Sequence, residues 1–159
     1  MRSSHRTALT GSSASASAPP IFESAVICEY LDETHAPRLH APDALQRAHD
    51  RAWVEFGSVV LGLLAAFYNA PTDDALHAKR GELAARFTEL DQRLATRAYL
   101  TGDAFTVADA YAFAIVNWTS FLGISLKPYP SLAAYLDRVA ARPKVREALI
   151  AEGLVKAAN

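Results

Sequence analysis

The chain has 159 residues, 51% of them hydrophobic, enough to build one core without metal or disulfide support. Sixteen basic and seventeen acidic residues leave a net charge of −1, with neither sign gathered into a long block, which argues against a nucleic-acid or anionic-membrane partner. The single cysteine, Cys28, excludes an internal disulfide and a multi-cysteine metal centre, so a reducing, cytoplasmic setting is the default.

Residues 1–20 hold six serines, four alanines and no acidic residue, a composition expected to stay disordered. The Ala-Ser-Ala triplets within it resemble a signal-peptidase site, yet no apolar segment precedes them, which argues against secretion. Ile21-Phe22-Glu23-Ser24 then leads into a short helix expected from about 25 to 33, with Ser24 in the N-cap position and Ile27 and Leu31 one turn apart. Pro37 and Pro42 mark a loop, and Asp43 is placed to cap the next helix. That helix carries Leu45, Ala48, Ala52, Trp53, Phe56, Val59, Val60, Leu63, Leu64 and Phe67 at three- and four-residue spacing, a stripe broad enough for more than one neighbour. Its longest apolar run, Val59 to Phe67, is short for a membrane span.

After Asn69-Ala70-Pro71, the stripe Leu76, Leu83, Phe87, Leu90 and Leu94 predicts an outer helix antiparallel to the previous one. Thr106 and Asp109 then have the spacing of a capping box, in which the threonine hydroxyl takes the N–H of Asp109 and the carboxylate reaches back to the N–H of Thr106. The helix it opens runs through Tyr111, Phe113, Ile115, Val116, Trp118, Phe121 and Leu122, apolar nearly all round, and is expected to be surrounded by others until Gly123 closes it. Two shorter helices follow, one ending at Arg142-Pro143 and one stopping at Gly153. No stretch alternates with period two for long enough to be a strand, so the fold class is all-α, a bundle of about five helices with a short helix in front.

The stretch YLTGDAFTVADAYAF with Asn117-Trp118, followed by YPSLAAYLDRVAARPKVREAL, resembles the C-terminal helical domain of glutathione S-transferases, most of all the bacterial enzymes. IFESAVICEYLDE is similar to the end of that family's thioredoxin-like domain. The resemblance implies a remnant of the thioredoxin-like domain at 21–36 and the helical domain at 41–154. It implies glutathione as substrate, a small apolar electrophile as co-substrate, and a homodimer. It also assigns Glu23 and Ser24 to the γ-glutamyl end of glutathione. A helix N-terminus with a serine hydroxyl suits a carboxylate, and Glu23 suits the ammonium on the same carbon, although Glu-Ser before a helix is by itself an ordinary cap.

The family's pocket for the apolar co-substrate maps onto Trp53, Phe56, Tyr111 and Trp118, whose helical spacing is equally that of core. The strand and helix that carry the family's thiol-activating Tyr, Ser or Cys find no match in residues 1–20, so the chain resembles a truncated member, with no catalytic residue assigned and little or no conjugating activity expected. Cys28 on an apolar face reads as packed. The histidines at 5, 35, 40, 49 and 77 form no pair one turn apart on a helix, so no metal site is expected. The alternative in a different class is a non-catalytic module that pairs with another protein, or with itself, through an apolar face.

Overall fold

A computed structural model describes residues 19–156; the N-terminal tail expected to be disordered lies almost wholly outside them. Six α-helices follow in order: α1 Ser24–Thr34, α2 Ala44–Tyr68, α3 Asp73–Leu94, α4 Val107–Val116, α5 Pro130–Ala140 and α6 Pro143–Ala151. Among the described residues there is no strand, only a single bridge between Tyr99 and Gly102, and the class is all-α as the patterning required.

The helix starts follow local chemistry. The Asp43 carboxylate accepts from the N–H of Gln46 at 2.9 Å, and the Thr72 hydroxyl accepts from the N–H of Ala75 at 3.2 Å. Asp73 and Asp74 in the first turn of α3 and Arg93 in its last complement the helix dipole. Pro130 and Pro143 are the first residues of α5 and α6, where a missing N–H costs nothing.

Helix α4 lies at the centre. Val107, Ala108, Ala112 and Val116 are buried together with Val54, Val60 and Leu64 of α2, Leu83 and Phe87 of α3, and Leu132, Tyr135 and Val139 of α5. Helix α2 is long and apolar enough, by length and composition, to cross a membrane, which the length of its longest apolar run did not suggest; here it packs against both α3 and α4.

One expected element is shorter than its apolar run. Helix α4 ends at Val116, and Asn117–Ser120 tightens into a 3₁₀ turn. The Thr119 hydroxyl donates to the Val116 carbonyl at 2.7 Å and the Ser120 hydroxyl to the Asn117 carbonyl at 2.8 Å, local bonds that compete with the α-helical ladder. The change of winding turns Trp118 and Phe121 outward, 54% and 68% exposed, instead of into a surrounding shell of helices.

Candidate functional site

The first turn of α1 differs from its expected geometry. Helical dihedrals begin at Ser24, so Glu23 and not Ser24 holds the N-cap position, at φ 69°, and no side chain caps the helix. A left-handed φ at a residue with a Cβ costs about 1–2 kcal/mol, strain of a kind concentrated at ligand sites. The Glu23 carbonyl takes the first helical bond, from Ile27 N–H at 2.9 Å. The N–H groups of the first turn thus point outward without a side-chain acceptor, beside the exposed side chains of Glu23 and Ser24.

The Ser24 hydroxyl is held from elsewhere. Its Oγ is 2.8 Å from Tyr111 Oη of α4, and the same Oη is 3.0 Å from Ser58 Oγ of α2. Ser58 went unremarked in the sequence. Its one signal there is a Gly-Ser pair, Gly57-Ser58, interrupting an otherwise apolar stretch.

Tyr111 is the only member of the aromatic quartet near Ser24. Trp53 and Phe56 pair with each other at 5.1 Å between centroids and lie under α3, with the guanidinium of Arg93 5.2 Å over the first ring and that of Arg86 5.5 Å over the second. Trp118 lines a cleft of about 520 Å³ between α4 and α6, with Phe105, Phe113, Phe121 and Leu149. Of the four aromatics, Trp118 alone lines this cleft.

The Thr106 and Asp109 pair forms the reciprocal capping box, and the carboxylate does more than cap. Asp109 Oδ2 accepts from Thr106 N–H at 2.8 Å, and Oδ1 accepts from Leu100 N–H at 2.9 Å and from Tyr135 O–H at 3.1 Å. Burial raises the Asp109 carboxyl above its ordinary value, and these donors pull it part of the way back. Burial, and after it the Asp109 charge, raises Tyr135 as well. Both groups are occupied in holding the turn before α4 to α5.

Cys28 is half-buried, and burial raises its thiol, the opposite of what a nucleophile needs. The sequence also gave no hint of His40 and Asp50, whose side chains are 7% and 0% exposed and meet at 3.2 Å from His40 Nδ1 to Asp50 Oδ2. Asp50 Oδ2 also takes Ala41 N–H at 3.4 Å, while buried Asp32 takes the N–H groups of Leu39 and His40. Two carboxylates, one on each flanking helix, thus fasten the 35–42 connector between α1 and α2. Close to it, Glu29, His40, Arg51 and Glu55 line a cavity of about 150 Å³, with Arg51 Nε donating to Glu29 Oε1 at 2.5 Å. Among the described residues, no three of His, Cys, Asp and Glu converge in a way that could hold a metal ion.

Residues 58–143 match the family profile described as glutathione S-transferase, C-terminal domain. Glutathione S-transferase GstA of Escherichia coli O157:H7 is 29% identical over 138 residues, covering 84% of this chain and 69% of that protein. Among solved structures, the ternary complex of BphK, a bacterial glutathione S-transferase, superposes with a TM-score of 0.78 at 33% identity, covering 84% of this chain and 68% of that one. A sphingomonad glutathione S-transferase complexed with glutathione gives a TM-score of 0.70 at 30% identity, covering 85% of this chain and 69% of that one.

Proposed function

Since the chain belongs to the glutathione S-transferase family, whose C-terminal domain it matches over 58–143, we propose that it serves the transfer of glutathione to apolar electrophiles, with Glu23 and Ser24 taking the γ-glutamyl end. The observation that carries this assignment is the first turn of α1: backbone N–H groups without a side-chain cap, a serine hydroxyl and a carboxylate side by side at one helix end. The N–H groups and the helix dipole favour the ligand's carboxylate, and Glu23 complements its ammonium. Support also comes from the sphingomonad relative, whose structure holds glutathione.

Conjugation requires the glutathione sulfur as thiolate, attacking an electrophile held beside it. Among the described residues, the Cys28 thiol is pushed up by burial, and the Tyr111 hydroxyl is engaged by two serines. We therefore propose that these residues bind and orient glutathione while adding little to thiol activation, in a cytoplasmic homodimer. Calorimetric titration of the 159-residue chain with glutathione, run beside an aryl halide conjugation assay, tests this. Saturable binding that Ser24→Ala weakens, with turnover close to the uncatalysed rate, is expected. Rapid turnover refutes the weak-activation part, and failure of glutathione to bind refutes the site.

The exposed Trp118 and Phe121 beside the apolar cleft favour a second reading, a module that pairs with another protein through that face.

A further inference from the structure

Ser24, Ser58 and Tyr111 come from three different helices, and their hydroxyls form one chain. Tyr111 Oη lies 2.8 Å from Ser24 Oγ and 3.0 Å from Ser58 Oγ, and Ser58 Oγ lies 3.3 Å from the Val54 carbonyl oxygen. Along the chain Ser24 is exposed, Tyr111 buried and Ser58 half-buried, so only the Ser24 end stands at the surface.

The ring of Tyr111 owes its place to Gly57. A Cβ there would stand 2.9 Å from Tyr111 Cδ1 and 3.2 Å from Cε1, closer than a side chain and a ring can approach. With only a hydrogen at that position, the ring comes close against α2 and its hydroxyl reaches Ser58 one residue further on.

Each hydroxyl has a single hydrogen to donate and can accept through its lone pairs. In one direction Ser58 donates to Val54 O, Tyr111 donates to Ser58, and Ser24 donates to Tyr111; Ser24 then turns only lone pairs outward. In the other direction Ser58 donates to Tyr111, Tyr111 donates to Ser24, and the Ser24 hydrogen is released to the outside. The reversal leaves the Val54 carbonyl with its helical N–H partner, and neither inner hydroxyl becomes unpaired.

A carboxylate at the first turn of α1 selects the second direction, because it accepts and cannot donate. We propose that Tyr111 and Ser58 are positioning residues for the γ-glutamyl carboxylate of glutathione, a hydroxyl chain that reverses so that Ser24 donates outward. The chain fixes the Ser24 rotamer and supplies the hydrogen bond that Ser24 must accept when it gives its own hydrogen to the ligand. This rests on the assignment of Ser24 to glutathione made above, and it moves Tyr111 from the wall of an apolar pocket to the support of a polar contact.

The test is calorimetric binding by the full chain of two ligands, glutathione and an analogue in which hydrogen replaces the γ-glutamyl α-carboxylate. Ser24→Ala is expected to weaken glutathione about 10-fold or more, the loss of one hydrogen bond to a charged group, and Tyr111→Phe about 5-fold, the loss of the neutral hydrogen bond that supports it. The double variant is expected to be no weaker than Ser24→Ala alone, because without the Ser24 hydroxyl the Tyr111 hydroxyl has no ligand contact left to support. Ser58→Ala weakens glutathione by a smaller factor, and none of the three changes the affinity of the analogue.

Tyr111→Phe keeps the buried ring, and its melting curve shows whether the fold is intact. Wild-type affinity for glutathione in Tyr111→Phe, alongside a weakened Ser24→Ala, overturns the hydroxyl chain and leaves the Ser24 assignment standing. Equal weakening of both ligands by Tyr111→Phe overturns it too, since that is the mark of a merely structural tyrosine. Glutathione binding that is absent, or indifferent to Ser24→Ala, overturns the assignment itself and the hydroxyl chain with it.

Discussion

Asp109 has no exposed surface, and its carboxylate takes four donors: the N–H groups of Leu100 and Thr106 and the hydroxyls of Thr106 and Tyr135. Burial is the largest influence on its proton affinity and raises it above the ordinary 3.8; the donors oppose the shift. A carboxyl whose folded value lies above its unfolded one contributes most to stability below the unfolded value and loses that contribution as pH rises through the folded one. The stability difference between wild type and Asp109→Asn, measured by urea unfolding across the acid range, should therefore shrink as pH is raised. A gap that widens with pH would show that the four donors outweigh burial. Asp109→Ala, which strands the N–H groups of Leu100 and Thr106 in the interior, while the Tyr135 hydroxyl keeps the residue-109 carbonyl 3.2 Å away, should cost about 3 kcal/mol or more. The spacing of Thr106 and Asp109 made the cap legible in sequence. Leu100 and Tyr135, 9 and 26 residues away from Asp109, were not legible as its partners, because loop and helix packing bring them there.

The helices themselves follow from periodicity and punctuation. Asp43, Thr72, Pro130 and Pro143 mark the starts of α2, α3, α5 and α6, each for a local reason. Ends were less legible. Helix α4 stops at Val116, although apolar residues continue, because Thr119 and Ser120 give their hydroxyls to nearby carbonyls. The N-cap of α1 falls on Glu23 for a similar reason: the Ser24 hydroxyl, which would otherwise cap, is engaged by Tyr111. The connector from 35 to 42 has no regular structure and is tied by Asp32 and Asp50. Asp32→Ala should leave α1 and α2 formed while releasing the amides of Leu39 and His40, which hydrogen exchange would detect as faster exchange confined to the connector. Unchanged exchange at those two amides would show that the carboxylate does not hold them.

At the scale of the molecule, α4 is enclosed by α2 and α5 on its inner faces, while its outer face meets α6 across a cleft of about 520 Å³. Trp118 and Phe121 stand exposed there. If that face pairs with a partner or a second copy, Trp118→Ser with Phe121→Ser should abolish self-association in light scattering and reduce binding of a hydrophobic dye. Stability should move by no more than about 0.5 kcal/mol, as expected for exposed positions. A wild-type chain that scatters as a monomer and binds no dye would remove the interaction reading.

Apolar spacing of three and four, together with caps and prolines, settled the helical class and the order of elements, because both depend on contacts within a turn or two of the chain. The motif around Asp109 likewise carried the family in its own residues. Which side chains meet was decided by tertiary structure alone. Tyr111 reaches Ser24 across 87 residues because Gly57 lets a ring lie on α2, and Trp53 and Phe56 turn to α3 because arginines cover them there. Such meetings depend on the angle and distance between helices, and the local pattern of a sequence does not specify either.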